Sequence, residues 1–203
     1  MKKYETLVLG PIQANCYLLW EDHHVMIVDP GSKNPAVREH IESAKGIVDA
    51  IVLTHGHIDH IEGADFWAKE YGCPIYISEL DEPLLYDASL NCSAMFKEAF
   101  TLKSKVNNIM PGIQKIGAFQ FHVYDAPGHS EGSIMLEWGP YLICGDVLFQ
   151  MSIGRTDLPG GSNSKMTHTL QFIKKLSPEL IVLPGHGPAT TIQEELLHNP
   201  YLY

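Results

Sequence analysis

With 203 residues, 45% of them hydrophobic and 19% charged, the chain has the length and balance of one globular domain (residues 1–203) with a sizeable core. A formal net charge of −10 and the lack of a basic stripe argue against nucleic acid as a partner. No apolar run reaches the roughly 18 residues of a membrane span, and no signal-peptide stretch follows Lys2-Lys3, so a cytoplasmic protein without a membrane partner is expected.

In chain order, short apolar runs come first: Leu7 to Leu9, Tyr17 to Trp20, Met26 to Val28 and Ile51 to Leu53. They are β-rich and bounded by turn residues, so they read as strands. Asp29-Pro30-Gly31-Ser32 is a turn. Asn34-Pro35 supplies a cap and a first-turn proline for a helix running toward Lys45. A second helix is predicted from Ile61 to Tyr71, stopped by Gly72. Residues 80–115 lack a clean period and are expected to hold one or two short helices and a loop. The strand pattern resumes with alternating Phe119, Phe121 and Val123, then Ile134 to Leu136 and Tyr141 to Cys144. Ser164 is placed as the cap of a helix from Lys165 to Leu176. A buried strand, Leu180 to Leu183, and a helix over Gln193 to Leu197 close the chain. Interleaved strands and helices argue for sheets covered by helices.

The strongest chemical signal is His55-Gly56-His57-Ile58-Asp59-His60, four potential metal ligands within six residues. It directly follows a predicted strand, so it is placed on a loop at a strand end. There His55 and His57 can face one point while Asp59 and His60 face a neighbouring one. His129, Asp146 and His186 each recur at a predicted strand-to-loop junction beside a glycine, where backbone can approach an ion closely. Imidazole and carboxylate suit zinc, with iron and manganese as alternatives. His23, His24, His40, His122, His168 and His198 lack this context and read as surface or turn residues. Cys16, Cys73, Cys92 and Cys144 form no C-x-x-C pair and read as reduced, packed thiols. Strand alternation would put Cys144 on the same face as Asp146, where it is taken as packing.

The ordered set H-x-H-x-D-H, His129, Asp146 and His186 resembles the metallo-β-lactamase superfamily. The words Pro127-Gly128-His129-Ser130-Glu131-Gly132-Ser133, Gly145-Asp146-Val147-Leu148-Phe149 and Gly154-Arg155-Thr156-Asp157-Leu158-Pro159-Gly160-Gly161 look like the glyoxalase II (hydroxyacylglutathione hydrolase) group. The tail from Pro184-Gly185-His186-Gly187-Pro188 through Asn199-Pro200-Tyr201 is similar to the group's short bacterial branch. The resemblance implies an α/β fold, an αβ/βα four-layer sandwich of two mixed sheets with outer helices. It implies two divalent metal ions, one held by His55, His57 and His129, the other by Asp59, His60 and His186, with Asp146 bridging. The C-terminal helical domain of the longer enzymes is not expected. The tyrosines those enzymes place near the substrate are matched here by Asp157 and Pro188.

That resemblance implies a thioesterase acting on small hydroxyacyl-thiol esters such as S-lactoylglutathione. Asp59 would orient the attacking water and take its proton. Arg155 falls where the group has a basic residue touching a glutathione carboxylate; its alternative is a buried ion pair with Asp157. A thiol with a pKa near 8.5 leaves as thiolate without a dedicated acid. The rival readings are a one-iron persulfide dioxygenase, which shares the Gly154-Arg155-Thr156-Asp157 word, and a lactone or other ester hydrolase on the same metals. The oligomeric state is left open.

Overall fold

A computed structural model describes residues 2–96 and 98–203. The chain opens with three antiparallel strands, β1 (Lys2–Leu9), β2 (Ala14–Glu21) and β3 (His24–Val28). Helix α1 (Ala36–Ser43) crosses over to β4 (Ile47–Val52), which runs parallel to β3. The short helix α2 (Ile58–Ile61) and α3 (Ala64–Tyr71) lead to β5 (Ile75–Ile77), parallel to β4. Helix α4 (Glu82–Tyr86) and a 3-10 turn (Ser93–Met95) precede β6 (Asn107–Asn108), which completes a mixed sheet in the order β1-β2-β3-β4-β5-β6.

The second mixed sheet is built from β7 (Gly112–Ile116), β8 (Phe119–Asp125), β9 (Ile134–Trp138) and β10 (Tyr141–Gly145). A small hairpin, β11 (Leu148–Phe149) with β12 (Ser152–Ile153), stands apart. Helix α5 (Asn163–Ile173) crosses to β13 (Ile181–Pro184); β14 (Thr190–Thr191) and α6 (Ile192–His198) follow. The order is β14-β13-β10-β9-β8-β7.

Three buried clusters define four layers. Successive side chains of β2 point to opposite faces. Cys16, Leu18 and Trp20 pack with Val37, Ile41 and Trp67 of the helices outside the first sheet. Tyr17 and Leu19 face Phe119, Phe121, Leu136 and Trp138 of the second sheet. On the far side of that sheet, Leu142, Cys144 and Val182 pack against Met166 and Leu170 of α5 and Ile192 of α6. This is the expected αβ/βα sandwich. It explains why β2 reads as a continuous apolar run while β8 alternates: both faces of β2 are covered, whereas Gln120 and His122 of β8 face solvent.

Several sequence expectations are corrected. The second predicted helix begins at Ala64, after the separate turn of α2, which contains Asp59 and His60; the ligand motif is therefore only half loop. Gly72 does end α3, at φ 63°. Ser162, not Ser164, caps α5, accepting from the Lys165 amide at 3.4 Å, and the helix stops at Ile173. The segment 80–115 holds the expected short helix and 3-10 turn but also β6 and most of β7; β5, β11, β12 and β14 had no counterpart in the sequence reading. Cys144 packs on the helix side of the second sheet, a packing residue as expected, where the strand register shifts between Ile143 and Gly145. The six other histidines are exposed or half-buried, as expected. No helix among the described residues is long and apolar enough to cross a membrane.

Candidate metal centre

Topology gathers the seven predicted residues. Strands β8 and β10 both flank β9 antiparallel, and β13 is parallel to β10, so β8, β10 and β13 run the same way. Their C-terminal ends lead to His129, Asp146 and His186. The first sheet joins the same edge: the Ile134 amide donates to the carbonyl of Thr54, just beyond β4, at 2.9 Å. A bridge pairs Ala14 with His186.

Two triads result, His55-His57-His129 and Asp59-His60-His186, the donor atoms within each lying inside 4.8 Å of one another. His57 Nδ1 and His129 Nε2 are 2.8 Å apart, and His186 Nε2 is 3.1 Å from Asp59 Oδ2. Asp146 stands between the triads. Its Oδ1 is 3.4 Å from His60 Nε2, and its Oδ2 is 3.5 Å from His129 Nε2 and 3.6 Å from His186 Nε2. Gly185, preceding His186, leaves room for that carboxylate, which a Cβ would strike.

The opposite ring nitrogens are tied down. His129 Nδ1 donates to the Arg155 carbonyl at 2.8 Å, His60 Nδ1 to Asp29 Oδ2 at 3.0 Å, and His186 Nδ1 lies 3.2 Å from the Gln13 carbonyl. His55 Nδ1 meets Thr54 Oγ1 at 3.1 Å. Such contacts fix ring orientation and leave the inward nitrogen as a lone pair. Asp29, although close to His55 and His60, is already engaged by the Thr54 amide at 2.8 Å and hydroxyl at 2.6 Å. It therefore positions ligands rather than adding one.

The centre is chemically incomplete without cations. Seven buried side-chain polar atoms among the described residues have no partner, and His55 Nε2, His57 Nε2, His60 Nε2 and Asp146 Oδ1 are four of them. Buried polar groups are seldom left so, and orphans on four of the seven candidate ligands fit a divalent ion. Burial and the neighbouring imidazoles push His55 well below the ordinary histidine range, and burial and His129 push His57 down to about 3. Both thus present neutral nitrogen. Burial acts to raise Asp59 and Asp146, but His60 and the other imidazoles outweigh it, so both carboxyls stay ionised. Against burial, those carboxylates in turn raise His60 well above the ordinary histidine range and raise His186; bound cations would take the place of these protons on an imidazole-and-carboxylate donor set of the kind such ions require.

Two carboxylates that the sequence reading passed over organise the surroundings. Asp29 belongs to the segment read as a turn. Its signal was available: like the predicted ligands, it follows a strand and lies close to a glycine. Asp81 comes from the unread stretch and accepts from the Gly56 amide at 2.9 Å, Ser130 Oγ at 2.7 Å and the Gly132 amide at 2.6 Å. It clamps the loop of His55 and His57 to the loop of His129. No local sequence signal marks it, because its partners are 25 and about 50 residues away.

Arg155 is placed beside the centre, in a cleft of about 310 Å³ also lined by His57, Asp59, His129, Asp146 and His186. Its guanidinium makes two 2.7 Å bonds to Asp157, but the pair is exposed rather than buried. Its backbone carbonyl is the one that holds His129.

The chain belongs to the metallo-beta-lactamase superfamily, whose family model matches residues 9–186. It is 36% identical to the probable metallo-hydrolase YqgX of Bacillus subtilis, over 98% of this chain and 97% of that one. It is 32% identical to the hydroxyacylglutathione hydrolase GloC of Haemophilus influenzae, with the same coverage. Among solved structures, BLEG-1, described as a B3 metallo-beta-lactamase, superposes with a TM-score of 0.94 at 36% identity, covering 98% of this chain and 99% of that one. TTHA1623 in a di-iron-bound form gives 0.89 at 33% identity, covering 98% and 100%.

Proposed function

We propose that the protein is a dinuclear metal-dependent hydrolase of small acyl thioesters, of the glyoxalase II type. The observation that carries this reading is the composition of the cleft. Among the described residues, and apart from the candidate ligands, its lining offers only Arg155 and Cys92 as titratable groups. Burial raises the Cys92 thiol above its ordinary value, making it a weaker acid than the thiol it would have to protonate. Asp59, the carboxyl that would carry the water's proton, is held in its ionised form, and a site with no other proton donor favours a leaving group that departs as an anion, as a thiolate does readily. The likeness to GloC points the same way.

His55, His57 and His129 would hold one cation, Asp59, His60 and His186 the other, and Asp146 would touch both. Bound there, such ions would supply polarisation of an acyl carbonyl and a lowered pKa for the attacking water. Zinc suits the donors, and the di-iron form of TTHA1623 puts iron beside it. Asp59, ionised and 3.1 Å from His186 Nε2, orients the attacking water and receives its proton. Arg155 is free to meet an anionic group on the substrate only by leaving Asp157. Ile12, Met95, Phe96 and Leu158 form the apolar rim of the cleft and limit water around the reacting bond.

The likeness to BLEG-1 favours a second reading, β-lactam hydrolysis, in which the leaving group is an amide nitrogen that needs a proton. The test is a rate comparison on metal-loaded protein between S-lactoylglutathione and a β-lactam. The thioester should be cleaved with the higher kcat/KM by at least about a hundredfold, on the order of one absent acid catalyst. A faster β-lactam would reverse the assignment.

A further inference from the structure

The cleft at the metal centre adjoins a second cavity of about 370 Å³, which shares Ile12, Ile58, Asp59 and Phe96 with it. That cavity adjoins a third of about 700 Å³ through Glu62 and Phe100. Two separate helices underlie the groove: Asp59, on α2, lines the first two cavities, Glu62, in the turn between α2 and α3, the second and third, and Phe66 and Lys69, on α3, the third.

The groove changes character along its length. Beside the metals it is apolar, and its middle carries Glu62 and Glu98. Its far end gathers Lys33, Lys69 and Lys103 with Glu62 and Asp65. The Asp65 carboxylate is occupied by the amides of Lys103 at 2.7 Å and Ser104 at 2.9 Å. Lys103 Nζ reaches Thr101 Oγ1 at 2.9 Å, and among the described residues none of the three lysines forms an ion pair. In a chain of net charge −10, three lysines against Glu62 and Asp65 are a local excess of positive charge, two cavities along from the candidate metal centre.

We infer that the thiol half of the substrate is long: a sulfur beside the candidate metal ligands, an uncharged spacer that crosses the second cavity, then a phosphate-bearing end held by Lys33, Lys69 and Lys103. This rests on the thioesterase reading and names the substrate class of the same site. Glutathione fits the groove poorly. A fully extended tripeptide spans only about 10 Å, so its carboxylates stay near the sulfur, in the stretch that carries Glu62 and Glu98. Multiply charged phosphate, by contrast, matches several ammonium donors.

The test attaches one acyl group to three thiols: glutathione, pantetheine, and coenzyme A, which extends pantetheine with phosphates. On metal-loaded protein the coenzyme A thioester should have a KM about tenfold below that of the pantetheine thioester, in line with three weak exposed contacts. The double variant Lys69→Glu/Lys103→Glu should erase that difference and leave kcat and the pantetheine KM unchanged. Equal KM values for the two thioesters, or a ratio indifferent to the double variant, overturn the inference while turnover itself leaves the hydrolase reading intact. If no thioester is turned over, the hydrolase reading falls, and calorimetry with the free thiols decides the groove. Coenzyme A that binds more tightly than pantetheine, and about tenfold more weakly to the double variant, supports it; equal binding overturns it.

Discussion

Asp146 approaches imidazole nitrogens of both triads within 3.6 Å, which no other candidate ligand does through one carboxylate. Asp146→Ala should therefore lose metal and activity together, whereas His168→Ala, on an exposed face of α5, should be silent in both. Metal content and kcat measured on the same preparations check this, and similar behaviour of the two variants would break the sorting of the histidines. Asp29 acts one step further out, through Thr54 and His60. Asp29→Ala should weaken metal binding roughly 10- to 100-fold, the usual loss when a ligand's supporting carboxylate is removed. A competitive chelator titration reads that loss directly. The candidate ligands stand out in the sequence because metal chemistry restricts their type and the predicted strands put them at strand ends. Asp29 shares that strand-end signal but reads as a turn residue, and Asp81 is not legible, because a carboxylate accepting backbone N–H bonds leaves no spacing rule behind.

At the scale of elements, the loops are tied by contacts distant in sequence. Asp81, at the start of α4, satisfies three buried donors from two ligand loops. Its own charge is costly there, since burial raises its carboxyl above the ordinary range. Asp81→Ala would nevertheless leave those donors unpaired, at about 3 kcal/mol. In a chain of this size that corresponds to a fall in Tm of roughly 10 °C. Ser130→Ala, which removes one donor along with its partner's bond, should cost clearly less. Calorimetry on both variants separates a clamp from a bystander. The same principle explains which elements the sequence disclosed. β2 and β8 announce themselves by burial on two faces or one, and α3 by its glycine stop. β6, β11, β12 and β14 are two residues each, too short for any period. The displacement of α5 to Ser162 reflects a choice between two serines that the turn at Pro159-Gly160 and the bond of the Ser162 amide to the distant Gly128 carbonyl decide.

At the scale of the whole molecule, the metal centre closes the sandwich at one edge. Strand ends from both sheets deliver its ligands, and four of its buried polar atoms have no protein partner. Cations should thus stabilise the fold as well as supply chemistry. For two sites each held at about a hundred times Kd, linkage gives about 5 kcal/mol. Removing metal with a chelator should lower Tm by roughly 10–20 °C, reversibly on reloading.

The central claim is a two-cation centre made by these seven residues. Elemental analysis of protein purified without chelator, alongside hydrolysis rates on the same sample, tests it most directly. The account predicts a metal content approaching two ions per chain, with activity rising as the second site fills. A content fixed at one ion with full thioesterase activity would contradict it.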